Sequence, residues 1–167
     1  MDSSKKNKSR KEREMELRWE RIQEGKEEII IRAYKMTKSL EKFIHDFKQY
    51  SMELYGKKED CEYRIPIRNV YYIEVIDGKC FLYEKEEFYE SQQSLKEFES
   101  RLKNFGFVRI SKSCILNCRK LKGVKADKNH RMKVFLLNGE CLIVNRTYLA
   151  SVKEMLKKLS EEGENPL

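Results

Sequence analysis

The sequence predicts an α+β domain built around antiparallel sheet, and three observations carry that prediction. The runs VYYIEVI and KCFLYEK flank Asp77-Gly78, and RMKVFLL and ECLIV flank Asn138-Gly139. Such dipeptides are strong hairpin signals, because both residues accept the positive φ of a tight type I′ turn. The runs MELYG and EYRIPI flank a polar KKEDC turn and read as a third hairpin. Several hairpins with a few helices among them place antiparallel sheet at the centre.

In chain order, residues 1–26 form a charged extension. Lys5, Lys6, Lys8, Arg10, Lys11 and Arg13 stand against Glu12, Glu14 and Glu16, and Met15, Leu17, Trp19 and Ile22 supply the few apolar side chains. That pattern reads as a frayed tail running into a solvated helix. Residues 27–50 read as a strand followed by a helix. Glu28–Arg32 (EIIIR) is a β-branched run, and Met36, Leu40, Phe43, Ile44 and Phe47 share one helical face, suited to core or to dimer contact.

The main domain is expected over residues 51–160, with 161–167 as a tail. After the second hairpin, Ser94 and Glu97 spell a capping box that opens a helix with a Leu95, Phe98, Leu102 stripe. Asn104 to Gly106 ends it, since glycine takes a left-handed conformation cheaply. Phe107–Ile110 resumes as a strand, and Ile115-Leu116 follows a polar SKS segment. A last helix carries Tyr148, Leu149, Val152, Met155, Leu156 and Leu159 at helical spacing.

Composition narrows the function. The chain of 167 residues carries a formal net charge of +8, with 40% hydrophobic residues, enough for a core. Its charge is concentrated: between Arg101 and Lys133 eleven basic residues face the single acid Asp127, a net of +10. A stretch so depleted in acids suits phosphates, because each one neutralised releases condensed counterions. Glu53 to Ser100 is net acidic.

Enzyme classes find little support. The two histidines, His45 on the polar side of the first helix and His130 near a hairpin, have no recognisable nucleophile beside them. Five cysteines (Cys61, Cys80, Cys114, Cys118 and Cys141) form an odd set without a CxxC pair, so reduced thiols are expected and neither metal nor cofactor. The N-terminus lacks a signal-peptide core and no apolar run approaches the length of a membrane span, so a cytoplasmic protein without membrane insertion is expected.

The stretch FVRISKSCILN (Phe107–Asn117), followed about twenty residues later by LLNGECLIVNRTYLASV (Leu136–Val152), resembles the LytTR DNA-binding domain. The family pattern runs Phe-x-Arg-x-(His or Ser)-x-Ser, three apolar or small residues, then Asn. Later come an Asn-Gly turn and an apolar run ending in (Ser or Asn)-Arg-x-Tyr. RIPIRNVYYIEVIDGKCFLY is similar to the family's opening strands, with Glu74 closing the apolar stretch. The resemblance covers Ser51 to Leu159.

The resemblance implies small antiparallel sheets in a sandwich with flanking helices, preceded here by an N-terminal helical extension. It implies a transcriptional regulator that binds double-stranded promoter DNA as a homodimer on direct or inverted repeats. Loops, not a recognition helix, then enter successive major grooves. Carried over by position, Lys112 in the SKS loop, Arg146 after the last strand and Lys79 at the first hairpin turn would reach base edges. Arg109 and Ser111 fall within the same DNA-facing motif, and Asn117 is read as a turn-stabilising residue close to it. Lysine and arginine can both donate to guanine edges.

Two departures stand out. Ser111 replaces the histidine of many members, and the chain leaves no room for a phospho-acceptor receiver domain. It resembles instead the stand-alone members that begin with a strand like EEIIIRA and a helix. The other readings are an RNA-binding or ribosome-associated basic module, which would display aromatics for base stacking, and an interaction adaptor acting through the Met36–Phe47 helix.

Overall fold

The computed structural model describes Gly25 and residues 29–162, so nearly all of the charged extension and the end of the tail lie outside the described residues. The chain divides into two units, residues 1–35 and 36–167. In the first, residues 29–35 have no regular structure, and Ile29, Ile30 and Ile31 are exposed. The strand expected at Glu28–Arg32 is therefore not formed at its described positions. β-branched residues favour a strand only where a neighbour takes up the backbone bonds, and no described strand pairs with them.

The second unit opens with helix α1, Lys38–Ser51, capped by the Thr37 hydroxyl, which accepts the Leu40 N–H at 3.2 Å. Its apolar face does not join the core. Leu40 and Ile44 are half-buried, whereas Phe43, Phe47 and Tyr50 are exposed.

Ten strands follow in two sheets. Strands β1 (Glu53–Lys58), β2 (Cys61–Pro66), β3 (Tyr72–Ile76), β4 (Lys79–Tyr83), β5 (Phe88–Ser91), β6 (Phe107–Arg109) and β7 (Cys114–Asn117) form the large sheet, in the order β2-β1-β5-β4-β3-β7-β6. Strands β8 (Leu121–Asp127), β9 (Arg131–Leu136) and β10 (Cys141–Val144) form the small sheet, in the order β10-β9-β8. Every pairing is antiparallel. Helices α2 (Leu95–Leu102) and α3 (Leu149–Glu161) complete the domain.

Side-chain alternation along the large sheet feeds two cores, since successive residues of a strand point to opposite faces. Ile73, Leu82 and Ile115 pack with Leu95, Phe98 and Leu102 of α2 on one face. Tyr72, Cys114 and Leu116 pack on the other face against Val134, Leu136 and Val144 of the small sheet and Val152 and Leu159 of α3. The layers are thus α2, large sheet, then small sheet with α3. Each buried side chain of this size contributes roughly 1.5–3 kcal/mol on removal from water.

The expected elements mostly form. Ser94 and Glu97 make the complete capping box of α2. Asp77 (φ 51°) and Gly78 (φ 80°) both take positive φ, as a type I′ turn requires. The Asn138-Gly139 turn differs: Gly139 (φ 93°) is left-handed but Asn138 is not. The Leu136 N–H reaches the Glu140 carbonyl at 2.8 Å and closes a three-residue loop, the next commonest hairpin connection.

Candidate nucleic-acid interface

The strand registers bring the expected site loops to one end of the sandwich. Glu74 pairs with Cys114, so the Asp77-Gly78 turn that follows β3 lies beside the loop Ser111–Ser113 that precedes β7. The Val75 N–H donates to the Ser113 carbonyl at 2.8 Å and joins the two. From the small sheet, the Asn145 N–H donates to the Ile110 carbonyl at 3.0 Å, which sets Arg146 next to the same loop. Because Val144 pairs with Met132, the β8–β9 turn (residues 128–130) projects at this end too.

Lys112 and Arg146 are both exposed, and neither has an ion-pair partner among the described residues. Lys79, the first residue of β4, is also exposed, but its ammonium is paired with Glu90 at 2.9 Å. Arg109 is largely sequestered. Its Nε donates to the Ser111 carbonyl at 3.0 Å, one terminal nitrogen to the Lys112 carbonyl, and the other to Glu99 of α2 at 2.8 Å. With its donors spent on the loop backbone and a carboxylate, Arg109 shapes the loop that presents Lys112. Ser111 works in the same way, its hydroxyl accepting the Ser113 N–H at 3.1 Å.

Asn117 is not close to the loop, contrary to expectation. It lies at the opposite end of β7 and is almost fully buried. Its amide donates to the Val70 carbonyl at 2.8 Å, and its side-chain oxygen accepts the Arg119 N–H at 3.1 Å, capping the 3-10 turn Cys118–Lys120. Its turn-stabilising role is thus exercised at the far end of the sheet.

The basic stretch divides in the same manner. Arg101 bonds Gln93 at 2.7 Å, Arg119 contacts His45 and Glu162, and Lys120 lies over the Tyr71 ring. Lys112, Lys122, Lys125 and Lys128 remain exposed. One feature escaped sequence reasoning because β8 was not recognised: Lys125 and Lys133 stand directly opposite each other across β8 and β9. Like charges so placed destabilise a sheet, and Asp127, 3.9 Å from Lys133 and 3.8 Å from Arg131, offsets this only partly.

No cluster of metal-ligating side chains occurs among the described residues. Cys80, Cys114 and Cys118 are buried free thiols, and burial raises the thiol of Cys80 to about 11 and that of Cys118 to about 12, so both stay protonated at neutral pH. Cys61 and Cys141 are exposed. No described helix is long and apolar enough to cross a membrane.

The profile of the LytTr DNA-binding domain matches residues 60–157, more than half of the chain. The chain belongs to the LytTr DNA-binding domain family. Its LytTr region is 26% identical over 98 residues to the sensory transduction protein LytT of Enterococcus faecalis, covering 59% of this chain and 40% of that one. It is 34% identical over 65 residues to the transcriptional regulatory protein LytR of Staphylococcus aureus, covering 39% and 26%. The matched region thus spans two-fifths or less of these longer relatives. A solved LytTr DNA-binding domain from Bacillus cereus superimposes with a TM-score of 0.59 and 27% identity, over 62% of this chain and 95% of that one.

Proposed function

We propose that this chain is a sequence-specific, non-enzymatic transcriptional regulator that inserts loops into the major groove at repeated promoter half-sites, two copies to a site. The observation that carries the reading is the convergence of the Asp77-Gly78 turn, the Ser111–Ser113 loop and Asn145-Arg146 at one end of the sandwich. Lys112 and Arg146 reach base edges from there, and Lys79 supplies the third contact once Glu90 releases it. Arg109 and Ser111 hold the Lys112 loop in shape, and Asn117 fixes the far end of β7. Lys125, Lys128 and Lys133 meet phosphates, which orient the protein without carrying sequence information.

RNA binding by base stacking is the weaker reading. Within the basic stretch Phe107 is buried and Phe105 half-buried, which leaves His130 as the one exposed aromatic ring there, too little for a platform on which successive bases stack. Selection from a random duplex library, followed by gel shifts on the selected duplex, random duplex and RNA, tests the proposal. Preference for the selected duplex by about a thousandfold or more over random DNA is expected, with two copies per shifted complex. Equal binding to all three would refute it.

A further inference from the structure

Strand β2 (Cys61–Pro66) is an outer strand of the large sheet, and among the described residues no strand pairs with its far side. The Ile67 N–H donates to the Met52 carbonyl at 3.0 Å, and in the same register Leu54 stands opposite Ile65. Backbone groups along an antiparallel strand alternate in direction, so Ile65, Tyr63 and Cys61 bond inward to β1. Glu62, Arg64 and Pro66 therefore turn theirs to the free edge. Proline suits that position, because it has no N–H to leave unpaired.

An open edge is a template for another strand, and folds blunt such edges with brevity, a cover or repeated like charge. The other edges show those devices. β6 is three residues long with α2 and α3 against it, β10 is four residues long, and β8 carries Lys122 and Lys125. β2 has six residues, of which Cys61, Glu62, Tyr63 and Arg64 are exposed. Its two charges are opposite in sign and flank Tyr63. Glu62 has no ion-pair partner among the described residues. Arg64 reaches only Glu53, at 3.9 Å, with 73% of its side chain exposed.

We propose that two copies of this chain join by pairing β2 with β2 of the partner, antiparallel about a two-fold axis at Tyr63, into one continuous sheet. In that register Glu62 stands opposite the partner's Arg64, and Arg64 opposite the partner's Glu62. Each such pair exchanges backbone bonds and matches charge. The two Tyr63 side chains meet at the axis, where residues that share no backbone bonds come closest. Other registers are worse. A slip by one residue turns one copy's faces over, and an axis at Glu62 or at Arg64 sets like charges against each other. The order acid, aromatic, base is complementary to its own reverse, which selects a second copy over an unrelated peptide. The pairing goes beyond the DNA reading, since it gives two copies a surface of contact but requires no DNA.

The test uses the full chain without DNA, followed by sedimentation equilibrium over a concentration series. The parent should show a monomer–dimer equilibrium. Glu62→Arg and Arg64→Glu should each weaken it by about tenfold or more, because each sets like charges against each other in both pairs. The double variant, and an equal mixture of the two single variants, should restore dimers. A second reading uses a background carrying Cys61→Ser and Cys141→Ser. On mild oxidation Tyr63→Cys should give a disulfide-linked dimer there, and Glu62→Cys should lag well behind. A monomer at every concentration, a dimer indifferent to both charge changes, or equal cross-linking at both positions overturns the proposal. A dimer that forms only on DNA overturns it as well, and leaves the DNA reading in place.

Discussion

Asn145 donates its backbone N–H to the carbonyl of Ile110 at 3.0 Å, and this bond ties the small sheet to the loop of the large one. Arg146 and Ser111 are the residues immediately after those two. Backbone contact therefore contributes to the spacing between the Arg146 and Lys112 side chains. A reader of base edges benefits from such preorganisation, because less conformational entropy is lost on binding.

Arg109 is the side chain that preorganises the loop most directly. Removing it in Arg109→Ala leaves the Ser111 and Lys112 carbonyls without their donor and Glu99 without its partner. A stability loss of about 0.5–1.5 kcal/mol is expected, the usual net contribution of hydrogen bonds that water can partly replace. Sequence preference should fall although no base contact has been deleted. Arg109→Lys should not rescue it, since an ammonium cannot fork between two carbonyls and a carboxylate. Full rescue by lysine, measured by melting and by the specific-to-random binding ratio, would show that charge alone mattered.

The opposed lysines of β8 and β9 give a prediction in which stability and binding move in opposite directions. Lys133→Thr removes the like-charge contact with Lys125 and places a good strand former there. It should stabilise the domain by a few tenths to about 1 kcal/mol at low salt, and less as salt screens the repulsion. Binding to specific and random duplexes should weaken alike, with the slope of log affinity against log salt reduced by about one. If the variant instead melts earlier, the contact with Asp127 outweighs the repulsion.

Hairpin turns and helix caps were legible in the sequence because their signals are local. Asp77-Gly78 and the Ser94–Glu97 box each act within a few residues of chain. Strands β5 and β8 were not legible. Phe88–Ser91 is short, and Leu121–Asp127 interleaves lysines with Gly123, so both form because neighbouring strands take up their backbone bonds. Lys112 and Arg146 could be singled out as candidates from the motif, but not the sequestration of Arg109, which depends on Glu99 ten residues away on another element. Asn117 misled for a related reason: a motif fixes spacing along the chain, and four residues of extended strand carry the last one about 10 Å from the first.

Glu74 yields a pH dependence. Burial, with the Glu140 carboxylate as the lesser cause, raises its carboxyl above the usual glutamate range. In the unfolded chain the group ionises near its ordinary value of about 4.3. Between that value and the raised one, the folded state holds the extra proton. Stability therefore falls as pH rises through this window and stays lower above it. In Glu74→Gln the decline should be absent, so its melting temperature should gain on the parent's from acid to neutral pH. If the variant loses ground over that range, the ionised Glu74 supports the fold.

Lys112, Arg146 and Lys128 separate base reading from phosphate contact. Lys112 and Arg146 are exposed, without ion-pair partners among the described residues, on adjoining loops. Lys128 is exposed on the β8–β9 turn at the same end. Lys112→Ala and Arg146→Ala should each lose about 1–3 kcal/mol on the selected duplex and much less on random DNA. Lys128→Ala should weaken both duplexes to a similar degree. Folding should be little changed in all three, because none of these side chains is buried. Arg146 has one competing role, since it opens the 3-10 turn Arg146–Tyr148 that leads into α3. The Arg146 guanidinium has no ion-pair partner among the described residues, which favours the DNA role over a structural one. Melting curves run beside the binding titrations decide between them. If Arg146→Ala melts early and keeps its sequence preference, the residue supports α3 and its place at the base edge is lost.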